Sequence, residues 1–428
     1  MCFEVKRGQI VNIGYASKTL ALPEGKMRSI IRKHATDDAL ALVIEHNLTA
    51  LDAVLDYCAD NDIHLFRISS DIIPFGSSPI NQLDWVALFS EKLHMLGTKA
   101  RTNCVRLSMH PGQYTVLNSP NDSVAKRAVV DLVYHASLLD GLGMDPSSKI
   151  VLHIGGMYGN RQEAMNRFVT RFLLLPDSVK NRLVIENDDR LFTAENALLV
   201  SRTCGVPMVF DVLHHRLNHE TNSPGELFLL DAAKETWGQK DGCQKIHYSQ
   251  QAPGKRPGSH SETILLDTFL EFIDYLGDRS PDIMLEVKDK NLSATKCSVA
   301  LDPRKKIYSL EREWGRYKYS VLEHDQAIYQ EIRTLLKNKE SYPVRSFYRL
   351  VEEALSKPIS KGSAINAAQH VWGYVSNLAD GREKTLFMRS LQRYEKGEIG
   401  LDQMKHYLQT LSERYEQAYL THSYYFTL

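Results

Sequence analysis

A chain of 428 residues, 43% hydrophobic and 24% charged, has the composition of a folded globular protein and excludes extensive disorder. Its 52 Lys and Arg balance 52 Asp and Glu, so the basic footprint usual in nucleic-acid enzymes is missing unless bound cations supply the positive charge. Residues 301–428 carry 20 Lys and Arg against 16 Asp and Glu, leaving 32 against 36 for residues 1–300, a mildly acidic front and a mildly basic back.

Length suits one barrel of about 250–300 residues with a smaller appended domain. The cysteines, Cys2, Cys58, Cys104, Cys204, Cys243 and Cys297, form no CxxC pair. Neither a disulfide framework nor a thiolate zinc site is suggested, and a reducing cytoplasm fits. No run approaches about 18 uninterrupted apolar residues, and the N-terminus lacks a basic stretch followed by an apolar core and a small-residue cleavage site. The expected protein is cytoplasmic, with no membrane partner.

In chain order, Val11-Asn-Ile-Gly-Tyr15 reads as a strand. A helix follows, with Thr36, Asp37 and Asp38 supplying N-cap chemistry and Leu48, Leu51, Val54, Leu55 and Cys58 on one face. The second strand is Leu65-Phe-Arg-Ile-Ser-Ser70, running into a loop punctuated by Pro74, Gly76 and Pro79. A helix over about 82–100 leads to Arg106-Leu-Ser-Met-His-Pro-Gly-Gln-Tyr114, where strand character stops at a histidine and passes through a Pro-Gly turn. After a helix over about 123–143, the plan repeats in Ile150–Gly156 with His153, Arg182–Asn187 with Glu186, Pro207–Asp211 with Asp211, Lys245–Ser249 with His247, and Asp282–Lys288 with Glu286. Segments 161–175, 193–204 and 262–276 have helical length and amphipathicity.

Near-continuous apolar strands separated by helices indicate a parallel sheet covered on both faces. Eight of them suggest closure into a (β/α)8 TIM barrel, an α/β fold whose strand C-termini share one rim; an open doubly wound sheet is the competing architecture. From Pro303 onward the sequence reads as helices, about 306–338, 343–356, 362–379, 382–395 and 401–422. The expected division is a barrel domain over residues 1–300 and an all-α helical domain over residues 301–428.

The rim collects eight metal-type ligands: His110, His153, Glu186, Asp211, His214, His247, His260 and Glu286. Imidazole and carboxylate without thiolate suit manganese, zinc or iron(II), and a carboxylate can bridge two ions. A single histidine is more often a hydrogen-bonded structural residue, but coincidence at so many strand ends favours a metal cluster. Asp211 also reads as a helix N-cap. Lys255 and Arg256, in a Pro-Gly loop, can touch phosphate or remain solvated. Gln113 and Tyr114 supply a planar amide and a stacking ring, suited to filling the gap left by displaced nucleotides; a capped loop with a core tyrosine is the alternative.

These motifs resemble the UV damage endonuclease family. The resemblance runs over about 11–290 and is carried by Arg67 with Ile73-Pro-Phe, Leu107-Ser-Met-His-Pro-Gly-Gln-Tyr114, Leu152-His-Ile-Gly-Gly-Met-Tyr-Gly159, Ile185-Glu-Asn-Asp188, Asp211-Val-Leu-His-His215, Lys245-Ile-His247, Lys255-Arg-Pro-Gly-Ser-His260 and Met284-Leu-Glu-Val-Lys288. It implies a barrel related to endonuclease IV that nicks damaged double-stranded DNA 5′ to ultraviolet photoproducts, using two to three divalent ions. Manganese is the implied metal, with zinc or magnesium as alternatives. The same eight residues become the implied ligands, Glu186 and Lys245 the implied catalytic residues, the latter either carboxylated or a lysine salt-bridged to Glu186 or Asp211, and Tyr15, Gln113 and Tyr114 the implied lesion contacts. Two departures stand out. Ser78 occupies a position where the family commonly has histidine, and Ala16-Ser-Lys18 follows Tyr15 where an asparagine is common nearby.

The segment 305–428 resembles a YbgA-like helical domain of unknown function, on Trp314-Gly-Arg-Tyr-Lys-Tyr319, Asn366–Tyr374 and a tyrosine-rich end. Its aromatics, interleaved with Arg316 and Lys318, suit either base stacking or a helical core, and the domain is expected to contact DNA or recruit a protein partner. Two rival functions stay open for the barrel: a metal-dependent sugar isomerase or epimerase, and a non-catalytic lesion-binding protein.

Overall fold

The structure, a computed structural model, describes residues 11–428; Cys2 and the N-terminal segment searched for a leader lie outside the described residues. Eight parallel strands close into a barrel in sequential order: β1 (Ile13–Ala16), β2 (Leu65–Ile68), β3 (Arg106–Met109), β4 (Ile150–His153), β5 (Leu183–Glu186), β6 (Met208–Asp211), β7 (Lys245–Tyr248) and β8 (Asp282–Leu285). Each forms where a mostly apolar run can be buried on both faces, by the barrel interior and by the helices outside. Closure replaces the open-sheet alternative and leaves no exposed sheet edge.

The helix Asp37–Asp60 begins at Thr36, whose hydroxyl accepts from the Ala39 amide, and buries Leu48, Leu51, Val54, Leu55 and Cys58 as their spacing requires. The expected helix over 82–100 is two, Trp85–Leu88 and Ser90–Thr102, broken at Phe89. Strand alternation then sets the barrel interior. Val151, Val184 and Val209 pack together one layer below His153, Glu186 and Asp211, two residues further along the same strands. Register places His153 beside Glu186 and Asp211 beside His247.

Two compact units divide the chain. One comprises residues up to Thr19, Glu24–Ile264 and Phe272–Ser298; the other comprises Leu20–Pro23, Leu265–Glu271 and Val299–Leu428. In the second unit the expected helix over 306–338 is interrupted at Asp325, which leaves the helical conformation (φ −153°) and caps Gln326–Leu335 by accepting from the Ile328 amide. An aspartate whose side chain competes for backbone N–H groups starts a helix more readily than it continues one. The final segment likewise divides into Leu401–Arg414 and Ala418–Thr421, with Glu416 at φ 50° between them.

Most aromatics of this unit are core. Tyr319, Tyr394 and Tyr425 are buried with Phe387, Leu408 and Leu411, and Trp372 stacks on Phe387 with ring centroids 4.3 Å apart. The two cations that suggested base stacking are engaged internally: Arg316 donates to Glu313 at 2.8 Å, and the Lys318 ammonium lies over the rings of Tyr319 (4.6 Å) and Tyr419 (4.9 Å). No helix among the described residues is long and apolar enough to cross a membrane.

Candidate metal centre

Glu186 ends β5 fully inside the barrel mouth, and its two oxygens serve different neighbours. Oε2 lies 3.0 Å from His110 Nε2 and 3.4 Å from His153 Nε2; Oε1 lies 2.7 Å from His247 Nδ1 and 3.9 Å from His214 Nδ1. Two donor groups therefore share this carboxylate, His110 with His153 and Glu186, and Glu186 with Asp211 and His247. Such sharing is the arrangement of a bridging ligand between two ions. His260 stands further out, with Nε2 3.6 Å from Glu286 Oε2, while Glu286 Oε1 lies 3.4 Å from His247 Nδ1. All eight sequence-derived ligands thus lie on one rim, with His260 joined to the rest through Glu286.

The hydrogen bonding shows that these donors fit a cation. The His110 Nδ1 donates to its neighbour's carbonyl, Pro111 O, at 3.0 Å, which leaves the Nε2 lone pair facing a carboxylate oxygen 3.0 Å away. Two acceptors at that distance repel unless a proton or a metal ion lies between them. His214 Nδ1 likewise donates to Asn187 O at 3.0 Å, fixing the tautomer that presents Nε2. His153 Nδ1, His247 Nε2 and Asp211 Oδ2 are buried and have no hydrogen-bond partner, a cost of roughly 1–3 kcal/mol each if left that way.

Charge tells the same story. Three buried carboxylates, Glu186, Asp211 and Glu286, share one neighbouring guanidinium, Arg67, which is paired with Glu286. Burial would raise the Glu186 pKa, but His247 and His153, with hydrogen bonds from His110 and His247, hold it well below the usual range. Burial pushes Asp211 up, with Glu186 and Glu286 adding to the rise. For His214, burial alone would lower the pKa; Asp211, Glu186 and Glu286 outweigh it and raise the pKa to about 9. The cavity is short of positive charge, and protons on imidazole make up the deficit when no cation does.

Lys245 lies on β7 two residues before His247 and is 2% exposed. Burial, reinforced by Arg106 and Arg67, pushes its pKa well below the ordinary lysine value. It makes no ion pair with Glu186 or Asp211 among the described residues, so the alternative of a salt-bridged lysine does not hold.

Gln113 and Tyr114 are both exposed, Tyr114 at 66%, on the turn that begins at His110. That turn is anchored at both ends, by contacts the sequence reading missed. Ser70 Oγ donates to His110 O at 3.1 Å and lies 2.8 Å from His135 Nε2; His135 Nδ1 donates to Asp131 O at 2.6 Å; Asp131 accepts from Thr115 Oγ at 2.6 Å. His135 and Asp131, buried four residues apart on the helix Asp122–Gly141, were the available signal. A cleft of about 380 Å³ opens beside the turn, lined by Arg67, Ser70, Asp71, His110, Tyr114 and Glu286.

Other expectations need correction or placement. Tyr15 is fully buried, its hydroxyl 2.6 Å from Thr19 Oγ1 and its ring edge-on to Phe66. It is a core residue and offers no face to DNA. Ser78 turns back on its own loop, its hydroxyl oxygen accepting from the Ile80 amide at 3.3 Å. Lys18, Lys255 and Arg256 are exposed and make no ion pair among the described residues. The loop bearing the last two is held by Gln251, whose Oε1 accepts from the Gly258 amide at 2.9 Å and whose Nε2 donates to Arg256 O at 3.0 Å. Asp211 does cap the short helix Val212–Leu217, accepting from the His214 amide at 2.7 Å through Oδ1, while Oδ2 stays available.

Comparison with known proteins adds three findings. Residues 7–311 match the family described as UV-endonuclease UvdE, and residues 318–428 match a family of proteins of unknown function, DUF1722. The UV DNA damage endonuclease of Clostridium perfringens (strain 13 / Type A) is 35% identical over 400 residues, covering 92% of this chain and 96% of that protein; the protein of the same name from Bacillus cereus (strain G9842) is 32% identical over 294 residues, 66% of this chain and 92% of its own. Among solved structures, the crystal structure of SacUVDE is similar with a TM-score of 0.64 and 36% identity, over 68% of this chain and 98% of that one.

Proposed function

Because the chain belongs to the UV-endonuclease UvdE family, we propose that it is a DNA repair endonuclease which hydrolyses a phosphodiester of damaged duplex DNA on the 5′ side of ultraviolet photoproducts. The observation that carries the reading is Glu186, whose oxygens are divided between His110 with His153 on one side and His247 with His214 on the other. His110, His153, Glu186, Asp211, His214, His247, His260 and Glu286 are the residues that would hold two to three divalent ions, manganese first among them. Bound there, such ions would lower the pKa of water, polarise the phosphodiester and stabilise the leaving alkoxide.

The chain's own groups do the rest. Glu186 fixes the spacing of the two donor groups, and Arg67 holds Glu286 in place. Lys245, biased toward the neutral amine by burial, is suited to carbamate formation, which would turn it into a further anionic ligand. Gln113 and Tyr114 project from the turn anchored by Ser70 and Thr115 to occupy the gap opened at a distorted step, and Lys255 and Arg256 contact phosphates at the rim.

The test uses the full chain, a manganese-supplemented buffer and a duplex carrying one defined photoproduct. The expected result is a single nick 5′ to the lesion, lost on chelation and absent from the undamaged duplex. No lesion-dependent nick from metal-loaded protein would overturn the proposal. Turnover of a ketose or aldose in its place would favour a sugar isomerase, and tight lesion binding without cleavage a non-catalytic binder.

A further inference from the structure

The β4 loop repeats the construction of the Gln113-Tyr114 turn. After His110 the chain reads Pro-Gly-Gln-Tyr114; after His153 it reads Ile-Gly-Gly-Met-Tyr158. In each case the tyrosine ring folds back over the glycine two residues earlier: a Cβ on Gly112 would lie 2.5 Å from the Tyr114 ring, and one on Gly156 would lie 2.7 Å from the Tyr158 ring. The imidazoles that start the two loops are themselves adjacent, with centroids 5.3 Å apart. Tyr158 is 49% exposed.

Its exposure is imposed by structure. Tyr158 has a φ of 51°, a left-handed conformation that costs a bulky residue stability. The Arg167 guanidinium lies 5.5 Å from its ring centroid, and Arg167 Nη2 is buried without a hydrogen-bond acceptor. Arg167 Nε donates to Asn118 O at 3.1 Å, and the Asn118 side chain exchanges two hydrogen bonds with the Gly156 backbone, at 2.8 and 3.1 Å. The loop bearing Tyr114 and the loop bearing Tyr158 are thereby tied into one platform.

Resting on the endonuclease reading above, we propose that Tyr158 is a second DNA-contacting residue, placing its exposed ring edge and hydroxyl against the sugar–phosphate backbone beside the bond to be cut. Tyr158 lies five positions after His153 on the loop that this imidazole starts, which puts it on the same rim as the proposed site of cleavage. Backbone contact carries no sequence or lesion information. Tyr158 therefore sets affinity for any duplex, whereas Gln113 and Tyr114 set the preference for damaged DNA.

The test is Tyr158→Gly in the full chain, because glycine relieves the left-handed backbone while removing the side chain. We expect its affinity for damaged and undamaged duplex to fall by the same factor, about tenfold, as for loss of one aromatic nucleic-acid contact, measured by fluorescence anisotropy with calcium in place of manganese. Manganese content and melting temperature should not fall, and the loss should appear in KM with kcat largely kept. Tyr158→Phe should lose about threefold, the share of one hydrogen bond. Wild-type affinity in the glycine variant, or a loss of affinity accompanied by lost metal or a lower melting temperature, would overturn the inference. A wild-type chain that nicks at lesions while Tyr158→Gly behaves identically removes this inference alone; a wild-type chain that binds no duplex removes the endonuclease reading with it.

Discussion

Both units of the molecule bury acids, and they treat them in opposite ways. In the helical unit each of the buried glutamates Glu313, Glu323 and Glu383 has a cation in contact: Glu323 Oε1 accepts from Lys405 at 2.8 Å while its Oε2 has no partner, Glu313 accepts from Arg316 at 2.8 Å and from the Tyr348 hydroxyl at 3.1 Å, and Glu383 accepts from Arg414 and Tyr415. In the barrel mouth Glu186, Asp211 and Glu286 converge on imidazoles, Glu186 lying against those of His110 and His247, and among the described residues Arg67 is paired with Glu286. The first arrangement pairs each acid with a side-chain cation. The second sets its acids against imidazoles, a donor set that a cation from solvent would complete, and on the proposed reading that difference separates a folding device from a reaction centre.

Four perturbations sharpen or break the contrast. The largest effect is expected from Glu186→Gln, which keeps the volume but removes the shared charge; lesion-dependent nicking should fall roughly a thousandfold or more, since a bridging ligand supports several kcal/mol of transition-state stabilisation. Metal content measured on the same sample should drop with it. Lys405→Met should do the reverse, costing about 3–5 kcal/mol in chemical denaturation by stranding Glu323, with metal content per folded chain unchanged. If nicking fails while the fold is intact, the helical unit takes part in the reaction beyond its own folding.

Smaller effects follow. Arg67→Met should weaken metal binding about 10–100-fold, the usual consequence of losing a partner that orients a ligand, as read by competition with a fluorescent chelator. The last effect is on pH. The His214 pKa of about 9, against an ordinary 6.5, means that the metal-free folded chain keeps a proton that the unfolded chain has lost. This stabilisation is full below pH 6.5 and lost as pH rises through 9. An incoming ion must displace that proton, so its affinity should rise by up to about tenfold per pH unit between pH 7 and 9, with proton release visible by calorimetry in buffers of different ionisation enthalpy. A pH-independent affinity would contradict the tautomer and charge assignments around His214.

The barrel was legible because each strand is an apolar run ending at a polar residue, and strand C-termini share a rim in this fold. His110, His153, Glu186, Asp211, His247 and Glu286 could therefore be collected from the sequence without knowing the register. What register and packing decide was not legible. Glu186 divides its oxygens between two sets of histidines because β4, β5, β6 and β7 are staggered as they are. Tyr15 was expected as a lesion contact from the family resemblance alone, and only the packing of Phe66 and Thr19 shows it to be core. Ser70 and His135, 65 residues apart, meet only once the helix packs on the strand loop. Tyr158 was visible within its motif, but its part in the rim depends on a left-handed backbone and a guanidinium from the next helix. In the helical unit, Asp325 looked like one polar residue on a long helix because capping and continuation use the same residue type.

The central claim, that Glu186 is shared between two metal ions, is tested most directly by anomalous diffraction from crystals of the full chain grown with manganese. A shared Glu186 requires at least two peaks, one between His110, His153 and Glu186 Oε2 and one between Glu186 Oε1, Asp211 and His247, in protein that nicks photoproduct DNA. A single peak that leaves one oxygen of Glu186 uncoordinated, or no peak in protein that still nicks, would contradict it.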